Sequence, residues 1–360
     1  MLAVDIAILV GLFVYKVVGH DPQIEYAHLL VTYHFGFAKR ALLGALVSLV
    51  ATSVPIMAVY ALGLAAFIAA MVLFVMAFRR IVGTDAHNLP LFAFLFGSPF
   101  FFKNFMYSIG YLDIYGCIGA LIALTAPVGV FYLPALVLGC VALVLLHPVQ
   151  FLLYCPLIGL IAVIRCYCVF GFSTARVLYG GLLGLAVLAV FVASVTGQVP
   201  TSPGVLFDYL RARGPDLTDP GVTYVWTSTL ADDLQATWRE IGKNTIRVPI
   251  YLILIALHVP VIRYFGRLVR CLARPRDKAI VVSGLLAISA GYLLIGAFGY
   301  DYARWVSNWA VCMALVMLAT HLLPLARAAP APPVAGDTTT NLALGWIVTA
   351  IPRVGITIPF

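Results

Sequence analysis

Apolar runs close to 20 residues long, separated by short polar stretches, recur along almost the whole of this 360-residue chain. About 20 such residues in a helix cross the hydrocarbon core of a bilayer. Backbone N–H and C=O groups find no water there, so each run must satisfy its own hydrogen bonds and reads as an α-helix. The first run, Leu2 to Val18, lacks both a basic front end and a small-residue cleavage site, and so reads as a retained helix. Further spans are expected at Ile56 to Phe78, Leu89 to Phe105, Ile109 to Ala126, Val130 to Leu146 and Val149 to Val163. Val177 to Val195, Ile246 to Ile262, Ala279 to Gly299 and Val306 to Leu325 complete the set, with Leu342 to Ile351 as a weaker candidate.

The expected fold class is therefore all-α: a polytopic transmembrane helical bundle of about ten spans (nine to eleven), forming one integral membrane domain over residues 1–360. Composition agrees, with 63% hydrophobic and 10% charged residues. A soluble globular chain carries about 45–50% apolar and about 25% charged residues. A soluble enzyme, a disordered chain and a secreted disulfide scaffold are excluded. The seven cysteines sit mostly inside apolar runs and read as packing groups, with Cys166 and Cys168 lacking a second pair to make a metal site.

The net charge of +8 reads as topology, not as a nucleic-acid surface. Residues 263–278 pack six basic side chains into one stretch, expected to be a cytoplasmic loop. With the N-terminus also cytoplasmic, Arg79, Arg80, Arg165 and Arg353 fall on that same side. Two segments are then expected on the outer face. Residues 19–54 form a loop with a short interfacial helix near Ala41 to Thr52, and residues 197–244 form an amphipathic loop of about 48 residues, read as a lid.

Ionisable groups at membrane depth are costly and usually face a cavity or one another. Most carboxylates here gather toward the outer face. Asp21 and Glu25 follow the first span four residues apart, a spacing that puts both on one helical face. Either could serve as general base toward a substrate hydroxyl, although Asp21 before Pro22 also suits a helix cap. Lys39 and Arg40 are adjacent cations on the outer side and suit a phosphate, or lipid headgroups by snorkelling. Asp113 opens an apolar span, with Lys103 and Arg304 as possible partners. His147 closes a tight turn. In Tyr300-Asp301-Tyr302-Ala303-Arg304-Trp305 the acid and the arginine stand three apart and could pair in a helix, among aromatics that would also suit an interface belt. The remaining histidines show no metal-ligand spacing.

The span number, the acidic first loop (Asp21, Glu25) and the long loop before the last spans resemble the GT-C superfamily of integral-membrane glycosyltransferases. The segments Lys39-Arg40-Ala-Leu-Leu-Gly, Gly-Tyr-Leu-Asp113 and Asp301-Tyr-Ala-Arg304-Trp also look like motifs of bacterial membrane proteins of that type. The resemblance implies a sugar donor carried on polyprenyl phosphate, a lipid or glycan acceptor, and an inverting transfer on the non-cytoplasmic face of a bacterial inner membrane. It implies Asp21, Glu25 or Asp113 as base, with Lys39, Arg40, His147, Asp301 and Arg304 holding substrate. It requires no tightly bound organic cofactor and leaves a divalent metal open, although no residue cluster calls for one. The chain departs from the family in having a single Asp in the first loop and no large soluble C-terminal domain. A transporter or lipid flippase, and a non-catalytic subunit of a polysaccharide assembly system, are the competing classes.

Overall fold

A computed structural model describes residues 1–171, 173–245, 247–298, 301–325 and 339–354. Tyr300 lies outside the described residues, as does Gly299 at the end of the expected 279–299 span. Every regular element among the described residues is a helix, and a single isolated bridge joins Leu272 to Leu325.

Helix α1 (Leu2–Gly19) leads into a capping region formed by α2 (Gln23–Leu30), a 3-10 turn (Tyr33–Phe35) and α3 (Leu42–Ser48). The chain returns through α4 (Met57–Ile81). The apolar run expected as one span from Leu89 is broken in two: α5 (Leu89–Phe96) and α6 (Phe102–Tyr107). Gly97-Ser98-Pro99 separates them, because Pro99 has no N–H to give and its ring disfavours helical geometry before it. Helices α7 (Asp113–Thr125) and α8 (Tyr132–Leu146) follow, then a short α9 (Gln150–Leu153) runs into α10 (Cys155–Phe170), and α11 (Thr174–Thr196) completes this half.

The long loop folds into α12 (Pro203–Arg213), α13 (Tyr224–Thr227) and α14 (Leu230–Thr245). Beyond it lie α15 (Val248–Leu257) and α16 (Val259–Arg270), bent 63° against each other. Pro260 sits at the bend, where it removes a backbone donor. The chain ends through α17 (Pro275–Phe298), α18 (Tyr302–Thr320) and α19 (Thr339–Ala350).

Five helices among the described residues are long and apolar enough to cross a membrane, or six if the bent α15–α16 pair counts as one span. They are α1, α4, α9 with α10, α17 and α18. The other expected spans correspond to shorter or interrupted helices, including α7 and α8. The chain is thus a helical bundle with the character of an integral membrane protein. The stretch 263–278 is not a loop as expected: α16 continues to Arg270 and α17 begins at Pro275.

Two ends of the bundle differ in chemistry. At one, Arg80 donates to Thr125 O (2.8 Å), Arg165 to Ala123 O (2.8 Å) and Arg274 to the Tyr167 hydroxyl (3.2 Å). At the other, the 19–59 region and the 199–226 part of the long loop share one hydrophobic core containing Tyr26, Leu30, Leu206, Leu210 and the fully buried Trp226. The two loops therefore fold together as a single cap. Arg353 belongs to this capped end, not to the arginine end where the sequence reading put it. Its guanidinium donates to the Tyr107 hydroxyl at 2.7 Å, and Lys16 lies over the same ring at 4.6 Å. The short α19 carries it there by running the length that a weak final span was expected to run.

Candidate functional site

The capped end gathers most of the chain's buried charge. Asp113 is the first residue of α7 and only 2% exposed. Arg304, one turn into α18, places Nε 3.0 Å from Asp113 Oδ2 and 3.6 Å from Asp301 Oδ2. Asp301 caps α18, accepting from the Arg304 backbone N–H at 3.4 Å, so the spacing of three pairs the two side chains as expected. Of the two partners weighed for Asp113, the structure selects Arg304.

The guanidinium lies over two aromatic rings, 4.7 Å from the Tyr111 centroid and 4.5 Å from that of Trp305. Asn308 adds a second donor to Asp113 Oδ2 (3.3 Å) and is itself oriented by the Tyr154 hydroxyl, which donates to Asn308 Oδ1 at 2.6 Å. Gln150 donates to Leu112 O at 2.9 Å, tying α9 to the start of α7. The close approach depends on Gly116, where a side chain would run into Gln150 and the Tyr154 ring.

Glu25 arrives from α2 and is 4% exposed. Gly110 lets it in: its φ of 94° favours glycine, and a side chain there would meet the Glu25 stem and Val59. The Glu25 carboxylate stands 3.4 Å from His20 Nε2 and acts electrostatically on Lys16, Tyr111 and Arg304. Asp21 does not join it. Helix α2 starts at Gln23 with Pro22 as its cap, so Asp21 lies before the helix and is exposed, accepting from Gln23 Nε2 at 2.8 Å. The expected shared face of Asp21 and Glu25 is absent because Pro22 ends the non-helical segment between them.

His147 is buried in the turn between α8 and α9, and its Nδ1 accepts from Val149 N at 3.3 Å. The charges of Arg40, Arg304 and Lys39 all act on it, and burial above all holds its pKa well below the ordinary histidine value. His28 is buried in the cap, packed edge-on against Trp226 with centroids 5.2 Å apart. Burial first, then Arg40, pushes its pKa down to about 3. Arg40 also acts on Asp113 and stands in a left-handed backbone conformation with φ 61°, a strained setting for a non-glycine residue. Both His28 Nδ1 and Trp226 Nε1 are buried without a hydrogen-bond partner among the described residues. Such groups in a native fold ask for an occupant that satisfies them.

Lys39 has a different place from its neighbour. Its Nζ donates to Ser228 O at 3.2 Å and pairs with Asp233 at 3.5 Å, while its backbone N–H donates to Gly197 O. It fastens the long loop to the first loop. Burial is the main cause that lowers its pKa, with Asp233 opposing. Glu25, Asp113, Arg40, His147, Asp301 and Arg304 therefore converge, Lys39 borders them as a tether, and Asp21 stays on the surface.

Sequence reading missed one ion pair altogether. Asp5 and Lys103, both wholly buried, meet at 2.9 Å at the break between α5 and α6. Lys103 also donates to Gly97 O (2.8 Å) and Thr349 O (2.5 Å), so its three donors are all used. The available signal was the Gly97-Ser98-Pro99 break itself, which frees backbone carbonyls inside an apolar run. Among the described residues no group of three or more His, Cys, Asp or Glu side chains is placed to hold a metal ion. No protein-family model, curated protein or solved structure matches this chain.

Proposed function

We propose that this chain is a membrane glycosyltransferase of the GT-C type that moves a sugar from a polyprenyl-phosphate donor to a hydroxyl of a lipid or glycan acceptor, with inversion. The observation that carries this reading is the convergence of Asp113, Glu25, Arg40, His147 and Arg304 at one end of the bundle, under a cap built from two loops. Sugar transfer from a lipid phosphate needs a carboxylate to take the acceptor's proton and cations beside the departing phosphate, at the depth of the membrane surface.

In this reading Asp113 is the general base. Arg304 and Asn308 fix one of its oxygens and so aim the other, and Glu25, which acts electrostatically on Arg304 and Tyr111, orients the acceptor. Arg40 and Arg304, whose charges both act on His147 and on Asp113, stand beside the phosphate of the donor. The acceptor oxygen attacks the anomeric carbon, the bond to the phosphate oxygen breaks, and the proton passes to Asp113. A single displacement of this kind inverts the centre. The same reading takes the helices as about ten spans of a bacterial inner membrane, with the capped end on the non-cytoplasmic face.

The Asp5–Lys103 pair favours a second reading. A buried ion pair at an interrupted helix is also what a transporter or lipid flippase uses. Purified protein in lipid nanodiscs, given radiolabelled polyprenyl-phosphate sugars and acceptor lipid, separates the two. Turnover supports the transferase. Absence of turnover with every donor, together with lipid-linked sugar flipping in vesicles, supports transport.

A further inference from the structure

A cavity of 380 Å3 opens between α5, the α15–α16 bend, α17 and α18, and none of the charged cluster lines it. It lies alongside α18 from Trp309 to Met317, whereas Arg304 belongs to the first turn of that helix. Its few polar lining groups are occupied with one another. Ser98 Oγ and His258 Nε2 are 2.9 Å apart, His258 Nδ1 donates to Leu254 O (2.7 Å), and Trp309 Nε1 donates to Ser289 Oγ (3.1 Å). The cavity thus offers an occupant little besides apolar contact, within the volume range of small-ligand sites.

The helix that forms one wall also carries the charge. On α16, Val261, Ile262 and Phe265 line the cavity, and Pro260, Tyr264 and Leu268 face the protein core. Arg263, Arg267 and Arg270 occupy the stripe between those two faces and are exposed. Tyr264 lies 3.1 Å from His321 at the far end of α18, which places this stripe at the arginine end of the bundle. The 63° bend turns α16 away from the direction of α15, as an interfacial amphipathic helix requires.

We propose that this is a site for an anionic phospholipid of the leaflet opposite the charged cluster: one acyl chain enters the cavity and the phosphate rests on Arg263 and Arg267. A hydrocarbon chain suits the apolar lining, and the negative headgroup complements an arginine stripe on the same helix. The site is separate from the proposed active site and does not depend on the glycosyltransferase reading.

The test uses Trp309, which lines the cavity. Full-length protein is delipidated in detergent and titrated with phosphatidylglycerol brominated on its acyl chains, with brominated phosphatidylcholine, and with glycerol phosphate. Quenching of Trp309 is read as the difference from Trp309→Phe. Phosphatidylglycerol is expected to quench at about tenfold lower concentration than phosphatidylcholine, and Arg263→Gln/Arg267→Gln to remove that difference. Ala314→Phe, which fills the cavity wall, is expected to abolish quenching. Equal quenching by both lipids, or an unchanged preference in the double arginine variant, overturns the proposal. So does displacement of the lipid by millimolar glycerol phosphate, which would mean that the site reads the headgroup alone. Bromine quenching in wild-type protein reports on occupancy even if the filled variant fails to fold.

Discussion

Arg304 balances two carboxylates at once, and Asp113 has nearly no solvent to fall back on. Removing one partner of a buried pair leaves an uncompensated charge and costs about 3–5 kcal/mol. Arg304→Met is therefore expected to lower the melting temperature sharply, and Asp113→Asn in the same chain to restore part of the loss. If the two changes were simply additive, the pair would not be coupled. A pH effect belongs to the same scale. The folded chain keeps His28 neutral down to about 3, whereas the unfolded chain protonates it near 6.5. Stability is thus complete above pH 6.5 and declines as pH falls through that window, by about 1.4 kcal/mol per unit. His147 acts in the same direction. His28→Gln is expected to flatten the fall in melting temperature between pH 7 and pH 5, and an unchanged slope would contradict this assignment. The Asp301–Arg304 pairing was legible in the sequence because three residues make one helical turn. Burial of Glu25 without Asp21 was not, since Pro22 decides where α2 starts.

Among the elements, the long loop owes its position to contacts no local pattern announces. Lys39 meets Ser228, 189 residues away in sequence, and Asp233 beyond it, so a cation that suits a phosphate proves to be a fastening. Asp233 is partly exposed, and pairs of that kind contribute about 0.2–1 kcal/mol. Asp233→Ala is expected to leave overall stability nearly unchanged while hydrogen exchange quickens in residues 224–237. Protection equal to wild type there would remove the tether. The split of the 89–105 run into α5 and α6 shows the opposite case. Gly97 and Pro99 interrupt a run that apolarity alone reads as continuous, and the Lys103 donors show how the break is satisfied. Lys103→Met should destabilise strongly by stranding Asp5, and Asp5→Leu with Lys103→Met is expected to recover much of the loss in a thermal melt.

For the whole molecule, apolar run length was enough to identify a helical membrane bundle, because a bilayer demands that length and that composition. It was not enough to separate full spans from short or bent helices, since α7, α8 and the α15–α16 pair depend on tertiary packing for their limits. The gathering of charge at one end was also legible, while the separation of its members into buried ion-paired acid, tether and surface residue required the folded cap. The central claim is that this gathering is an active site with Asp113 at its centre, and sugar transfer in lipid nanodiscs tests it most directly. With radiolabelled polyprenyl-phosphate sugars, wild type and Asp21→Asn are expected to turn over donor alike, whereas Asp113→Asn, checked for intact fold by its melting curve, loses a factor of about 10²–10⁴. Full activity in a folded Asp113→Asn protein would contradict the account.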